Sequence, residues 1–132
     1  MKTYFAVTGI LINDGNILIL RKAMDDRNYP GKWSFCSGFV KEFESAEDNV
    51  LREIKEETGL KGKILKKGKI VETVDKKIGK IWVIIPFLCE VDSREVKLCH
   101  ENMDFKWIKP EEFKNYDSVP GLEKDLKSFD LI

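Results

Sequence analysis

The chain has 132 residues, 42% of them hydrophobic, and its 23 Lys and Arg are balanced by 23 Asp and Glu. One domain spanning residues 1–132, with a real core, is the expectation from that length. The neutral charge balance excludes a broad surface for a nucleic-acid polymer, which needs a basic excess, and leaves small phosphorylated ligands open.

The N-terminus alternates apolar and polar residues and lacks the uninterrupted apolar stretch of a signal peptide. "YFAVTGILI" and "NILILRK" are β-branched and apolar, and Asp14-Gly15 lies between them, so the pattern predicts a hairpin. "AMDDRNYPGKW" is polar and carries Pro30 and Gly31, which predicts a loop. "WSFCSGFV" predicts a short strand running into a turn. Ser45 followed by Asp48 resembles a capping box, Ala46, Val50, Leu51 and Ile54 recur at helical spacing, and Gly59 is a C-terminal cap. A helix over Ser45–Thr58 follows. "KILKKGKIVETV" and "KIWVIIPFLCEV" predict two long strands joined near Ile78-Gly79, and "MDFKWI" a further short one. "PEEF" predicts a short helix, and "VPGLEKDLKSF" a last helix with Leu122 and Leu126 inward. The fold class is α/β, more narrowly α+β: a mixed sheet with helices on it. No apolar run reaches the roughly 18 residues of a membrane span. Cys36, Cys89 and Cys99 form no CxxC pair, so reduced thiols and a cytoplasmic location are expected.

The helix carries Glu53, Glu56 and Glu57 within little more than one turn. Like charges at that spacing repel. At about 100° per residue, Glu57 falls beside Val50 within the arc of the apolar stripe, and Glu53 falls at its edge. Arg52 and Lys55 point elsewhere and cannot neutralise all three. A carboxylate on an apolar arc loses hydration, and a divalent cation would remove the conflict. Clustered carboxylates are hard oxygen ligands of the kind Mg²⁺ takes when it bridges protein to substrate phosphates. "EIKEE" alone is also compatible with a solvated helix face.

The wider stretch from Gly38 to Leu60 resembles the Nudix box of the Nudix hydrolases. Nine positions fit the pattern without a gap: Gly38, Glu44, Arg52, Glu53, Ile54, Glu56, Glu57, Gly59 and Leu60. With average residue usage a chance match lies below about 10⁻⁶ per starting point. The resemblance implies the Nudix fold, a mixed sheet sandwiched between helices. It implies metal ligation by Glu53, Glu56 and Glu57, with the carbonyl of Ser37 as a further ligand, and an Arg52–Glu44 pair that fixes the helix against the loop. Gly38 would let the loop approach the metal. Ser37, Cys36 and Phe43 depart from residues the family favours at those places. Outside the box, Arg21 resembles an Arg that reaches substrate phosphates. Glu101, six residues before Trp107, resembles a metal ligand or general base. Glu53 and Glu101 both remain open as that base. Among Trp33, Phe35 and Trp82, Phe35 is the candidate to stack on a nucleobase, because it precedes the loop.

The implied activity is Mg²⁺-dependent hydrolysis, with Mn²⁺ as a substitute, of a nucleoside diphosphate linked to another group. No marker of ADP-ribose, dinucleoside-polyphosphate or NADH cleavage is found, so the chain is most similar to small, MutT-like nucleoside triphosphate pyrophosphatases. An ADP-ribose or other nucleotide-sugar pyrophosphatase is the alternative. A nucleotide-sensing regulator on the same fold is the alternative of another class, and such proteins usually lose box carboxylates. Partners are small nucleotides, with no nucleic-acid polymer and no membrane, and the chain is a monomer or homodimer.

Overall fold

The computed structural model describes residues 2–132. The chain opens with the expected hairpin. β1 (Lys2–Asn13) and β2 (Asn16–Lys22) pair antiparallel across Asp14 and Gly15, whose φ values of 51° and 79° are those of a two-residue turn. β3 (Trp33–Ser34) and β4 (Cys36–Phe39) are short. β4 pairs with β1, placing Ser37 beside Thr8 and Gly38 beside Val7. Helix α1 (Ala46–Thr58) is capped as its sequence predicts. The Ser45 hydroxyl accepts from the Asp48 amide at 3.1 Å, and Gly59 closes the helix at φ 73°.

The stretch expected as one long strand after α1 is two, β5 (Lys63–Lys67) and β6 (Val71–Asp75). Both pair antiparallel with β7 (Lys80–Glu90). The break lies opposite Pro86, which has no N–H to offer a ladder. Gly68 fits there because it is glycine: a Cβ would sit 2.9 Å from the Pro86 ring and 2.9 Å from Phe129. β7 runs parallel to β1 from Lys2↔Lys80 to Ile12↔Glu90. β8 (Asn102–Ile108) pairs with β2, a 3-10 turn covers Pro110–Asn115, and α2 (Leu122–Ser128) ends the chain.

Alternation along the strands feeds two cores, one on each face of the sheet. Val7 and Leu11 of β1 join Leu18, Leu20, Val50 and Ile54 under α1. Ile10 joins Ile17, Ile19, Phe113, Leu122 and Leu126 under α2. The mixed sheet thus lies between α1 and α2, as expected. Among the described residues no helix is long and apolar enough to cross a membrane.

Candidate active site

The site begins where α1 meets β4. Gly38 faces Glu53 so closely that a Cβ would lie 2.4 Å from the Glu53 side-chain carbons. The Ser37 amide donates to Glu57 Oε2 at 3.1 Å. Glu57 is 5% exposed. Burial first, and the neighbouring Glu53 second, push its carboxyl up to about 8. Burial also raises Glu53.

Arg52 organises the open side of the cluster. Its Nε and Nη2 clamp both oxygens of Glu44 at 2.8 and 3.0 Å. Its Nη1 donates to Glu53 at 2.9 Å and to Glu56 at 3.0 Å. These bonds, with one from Asn49 at 2.7 Å, hold Glu44 down at about 2. Arg52 therefore reaches two of the three clustered acids, more than helical geometry alone suggests, and leaves Glu57 without an ion pair among the described residues, with Lys22 acting on it only from a distance. Asn49 also donates to the Phe39 carbonyl at 2.7 Å, tying α1 to the end of β4. The expected Arg52–Glu44 pairing is present.

These groups border one cavity of about 430 Å³, within the range that takes small ligands. Glu53, Glu56 and Glu101 line it, as do Ser37 and Gly38. Lys22 and Lys41 add two cations to the same wall. Glu57 stands behind the wall, reached through the Ser37 amide.

Two of the expected residues are placed apart from the acidic wall. Arg21 does not line the cavity; its Nε donates to the Gly31 carbonyl at 3.0 Å and braces the loop before β3. The β2–β8 register shifts between Arg21 and Lys22, and such an irregularity re-aims side chains. Lys22 is the cation presented at this strand end. Phe35 forms part of the cavity floor but is 1% exposed and stacks on Phe113 at 5.2 Å between ring centres, as a core residue does. The half-buried aromatic that lines the cavity is Trp82, joined by Tyr29. Trp82 is one of the three aromatics the sequence offered for stacking, and its apolar strand sequence does not mark it above Phe35. Lys22 and Tyr29 carry no motif in the sequence, and only folding brings them to this cavity.

Among the described residues no three acids, thiols or imidazoles converge tightly enough to form a ready-made metal cage. The donor set still fits a divalent cation. Glu57 is buried, pushed up by a neighbouring carboxylate, and has only the Ser37 amide as a listener among hydrogen-bond donors. Gly38 leaves the space in which Glu53 turns toward it. The three thiols are free, and burial pushes Cys36 well up and Cys89 up to about 12, which makes them poor soft ligands.

Residues 3–129 match the model of the NUDIX domain. The chain is 32% identical over 138 residues to the nucleoside triphosphatase NudI of Escherichia fergusonii, and 30% identical over 143 residues to that of Escherichia coli, with 96% of each chain covered in both cases. The crystal structure of a MutT protein from Methanosarcina mazei superposes with a TM-score of 0.85 at 27% identity, over 97% of this chain and 93% of that one.

Proposed function

The chain belongs to the Nudix family, whose hydrolases generally use a divalent metal, and from that membership we propose that it is a pyrophosphohydrolase cleaving a nucleoside triphosphate to the monophosphate and pyrophosphate. The observation that carries the substrate class is the cavity. It joins a carboxylate wall, two lysines and an aromatic end in one space. The full-length likeness to proteins named nucleoside triphosphatase supports the same reading.

Glu53, Glu56 and Glu57 would hold Mg²⁺, or Mn²⁺ in its place, with the Ser37 carbonyl and Glu101 as further donors. When bound, the metal supplies charge compensation for the phosphates and lowers the pKa of a water ligand. The chain's own residues do the rest. Arg52 and Glu44 fix the acidic turn so that Glu53 points past Gly38 into the cavity. Lys22 and Lys41 attract the polyphosphate and hold it along the wall. Glu53, raised by burial, is suited to take a proton from the attacking water, and Glu101 on the same wall is the other candidate. We place the enzyme in the cytoplasm on its free thiols, acting on small nucleotides as a monomer or homodimer.

A substrate panel tests this. Nucleoside triphosphates, ADP-ribose, NADH and dinucleoside polyphosphates are incubated with Mg²⁺ or with EDTA, and products are separated. Pyrophosphate released from a triphosphate faster than any other cleavage, and only with metal, is the expected result. ADP-ribose as the fastest substrate overturns the triphosphate assignment.

A further inference from the structure

We propose that the end of the cavity bounded by Tyr29, Trp82 and Thr73 is the nucleobase subsite, and that Asp75 is the positioning residue that holds Tyr29 there; the proposal rests on the nucleotide reading above. An aromatic row leads to it from the acidic end. Phe39, next to Gly38, lies 5.3 Å from Tyr4 between ring centres, and Tyr4 stacks on Trp82 at 6.2 Å. Tyr29 then stands against Trp82 at 5.7 Å, tilted by 45°. The other two tryptophans are engaged elsewhere. Trp33 is buried against Tyr116, and Trp107 donates to the Arg94 carbonyl beneath that residue's guanidinium.

Tyr29 belongs to a polar loop with no apolar anchor of its own. The loop is drawn over the cavity by the β6–β7 hairpin. The Tyr29 hydroxyl donates to Asp75 at 2.9 Å, and Lys80 donates to the Asn28 side-chain oxygen. Burial and the Asp75 carboxylate raise the Tyr29 phenol above its ordinary range, so it stays a neutral donor. Removing the Asp75 acceptor frees the loop to leave Trp82 and opens the stacking wall.

Thr73 closes that end of the cavity. It stands across from Trp82 in the β6–β7 register, lines the cavity and is 8% exposed. Its Oγ1 is buried against Gly121, where a Cβ would lie 2.4 Å from that oxygen, so the hydroxyl packs into the wall and does not face a ligand. The aromatic faces suit a flat heterocycle. A sugar phosphate offers no π face to Trp82 or Tyr29.

The test separates base binding from turnover. In EDTA, the four nucleoside monophosphates and ribose 5-phosphate are titrated while tryptophan fluorescence and binding heat are followed. At least one monophosphate is expected to quench the emission and to bind about tenfold more tightly than ribose 5-phosphate, with the quench lost in Trp82→Leu. Asp75→Ala and Tyr29→Phe should each weaken that monophosphate about tenfold and leave ribose 5-phosphate unmoved, while Asp75→Asn, which keeps an acceptor, restores binding. With metal, Asp75→Ala should raise KM far more than it lowers kcat. Equal affinities for monophosphates and ribose 5-phosphate, or a fall in kcat at constant KM in Asp75→Ala, overturns the assignment. A parent chain that binds monophosphates in EDTA but releases no pyrophosphate with Mg²⁺ would overturn the triphosphatase reading and leave the base subsite standing.

Discussion

Glu57 on α1 and Asp125 on α2 are both buried carboxylates, 5% and 0% exposed, on opposite faces of one sheet. Burial pushes them to similar places, about 8 and about 7. Their surroundings differ. Glu57 takes a hydrogen bond from Ser37 and stands beside Glu53, at the edge of a cavity lined by further acids and two lysines. Neither oxygen of Asp125 has a partner, and it lies between Leu122 and Leu126 on the buried side of its helix. Burial of an acid does not make a site; convergence of other groups on the same space does. The same desolvation is therefore read as function on one face of the sheet and as a cost to stability on the other.

The largest expected effect breaks the Glu57 side. Glu57→Gln keeps the shape and the acceptor for Ser37 but removes the charge a cation would need. Turnover with Mg²⁺ should fall roughly 10²–10³-fold, the scale of losing one fixed charge-stabilising group. The melting temperature in EDTA should stay at or above that of the parent, because the cost of burying an ionisable acid is gone. Steady-state kinetics and a thermal melt on the same sample check both halves, and unchanged turnover would remove Glu57 from the metal site.

Gly38→Ala sharpens the comparison without touching either buried acid. The new Cβ would meet the Glu53 side chain at 2.4 Å, and that flexible chain, not the backbone, must yield. Glu53 should swing away from the cavity, and kcat should drop roughly 10–100-fold because a small misplacement of a reacting group is expensive. Circular dichroism should be unchanged. Full activity would mean that the approach of β4 to Glu53 is incidental.

Asp125→Asn addresses the other face. The fold holds this acid up at about 7, against 3.8 ordinarily, so the folded chain keeps a proton that the unfolded chain sheds. Its penalty is absent below about 4, grows as pH rises through this window, and is complete above about 7. At pH 8 the variant should be more stable by up to roughly 4 kcal/mol, and the parent's loss of stability between pH 4 and 7 should flatten. Urea midpoints across that range measure it, and kcat should not change. A less stable variant at pH 8 would show that the carboxylate has a partner after all.

What was legible in the sequence follows from the reach of each pattern. Helix α1, its Ser45 cap and its acidic face are written in spacings of three and four along one element, and all are present in the fold. The first hairpin is fixed by two adjacent residues, Asp14 and Gly15. The β5–β6 break was not legible, because Pro86, which opposes it, lies 16 residues beyond Ile70 on another strand. Lys22 was overlooked beside Arg21 because the register shift that separates their roles depends on pairing with β8. Tyr29 and Trp82, 53 positions apart, meet only when the polar loop is tied to the β6–β7 hairpin.

The smallest effect comes from setting Phe43 against Gly38, the one in the loop before α1 and the other on β4. Gly38 is needed for space: its backbone is not left-handed, and only the approach of Glu53 forbids a side chain. Phe43 is the reverse. Its φ of 61° lies in the left-handed region, where a Cβ costs roughly 1–2 kcal/mol, while its ring is fully exposed and packs on nothing it could lose. Glycine at this position would relieve the backbone but add freedom to the unfolded chain, which returns roughly 0.5–1 kcal/mol of the gain. Phe43→Gly should therefore stabilise the protein by about 0.5 kcal/mol and leave kcat intact, whereas replacing Gly38 costs kcat. Denaturant midpoints read the difference, and a loss of stability in Phe43→Gly would mean that the exposed ring has a contact worth more than the strain it imposes.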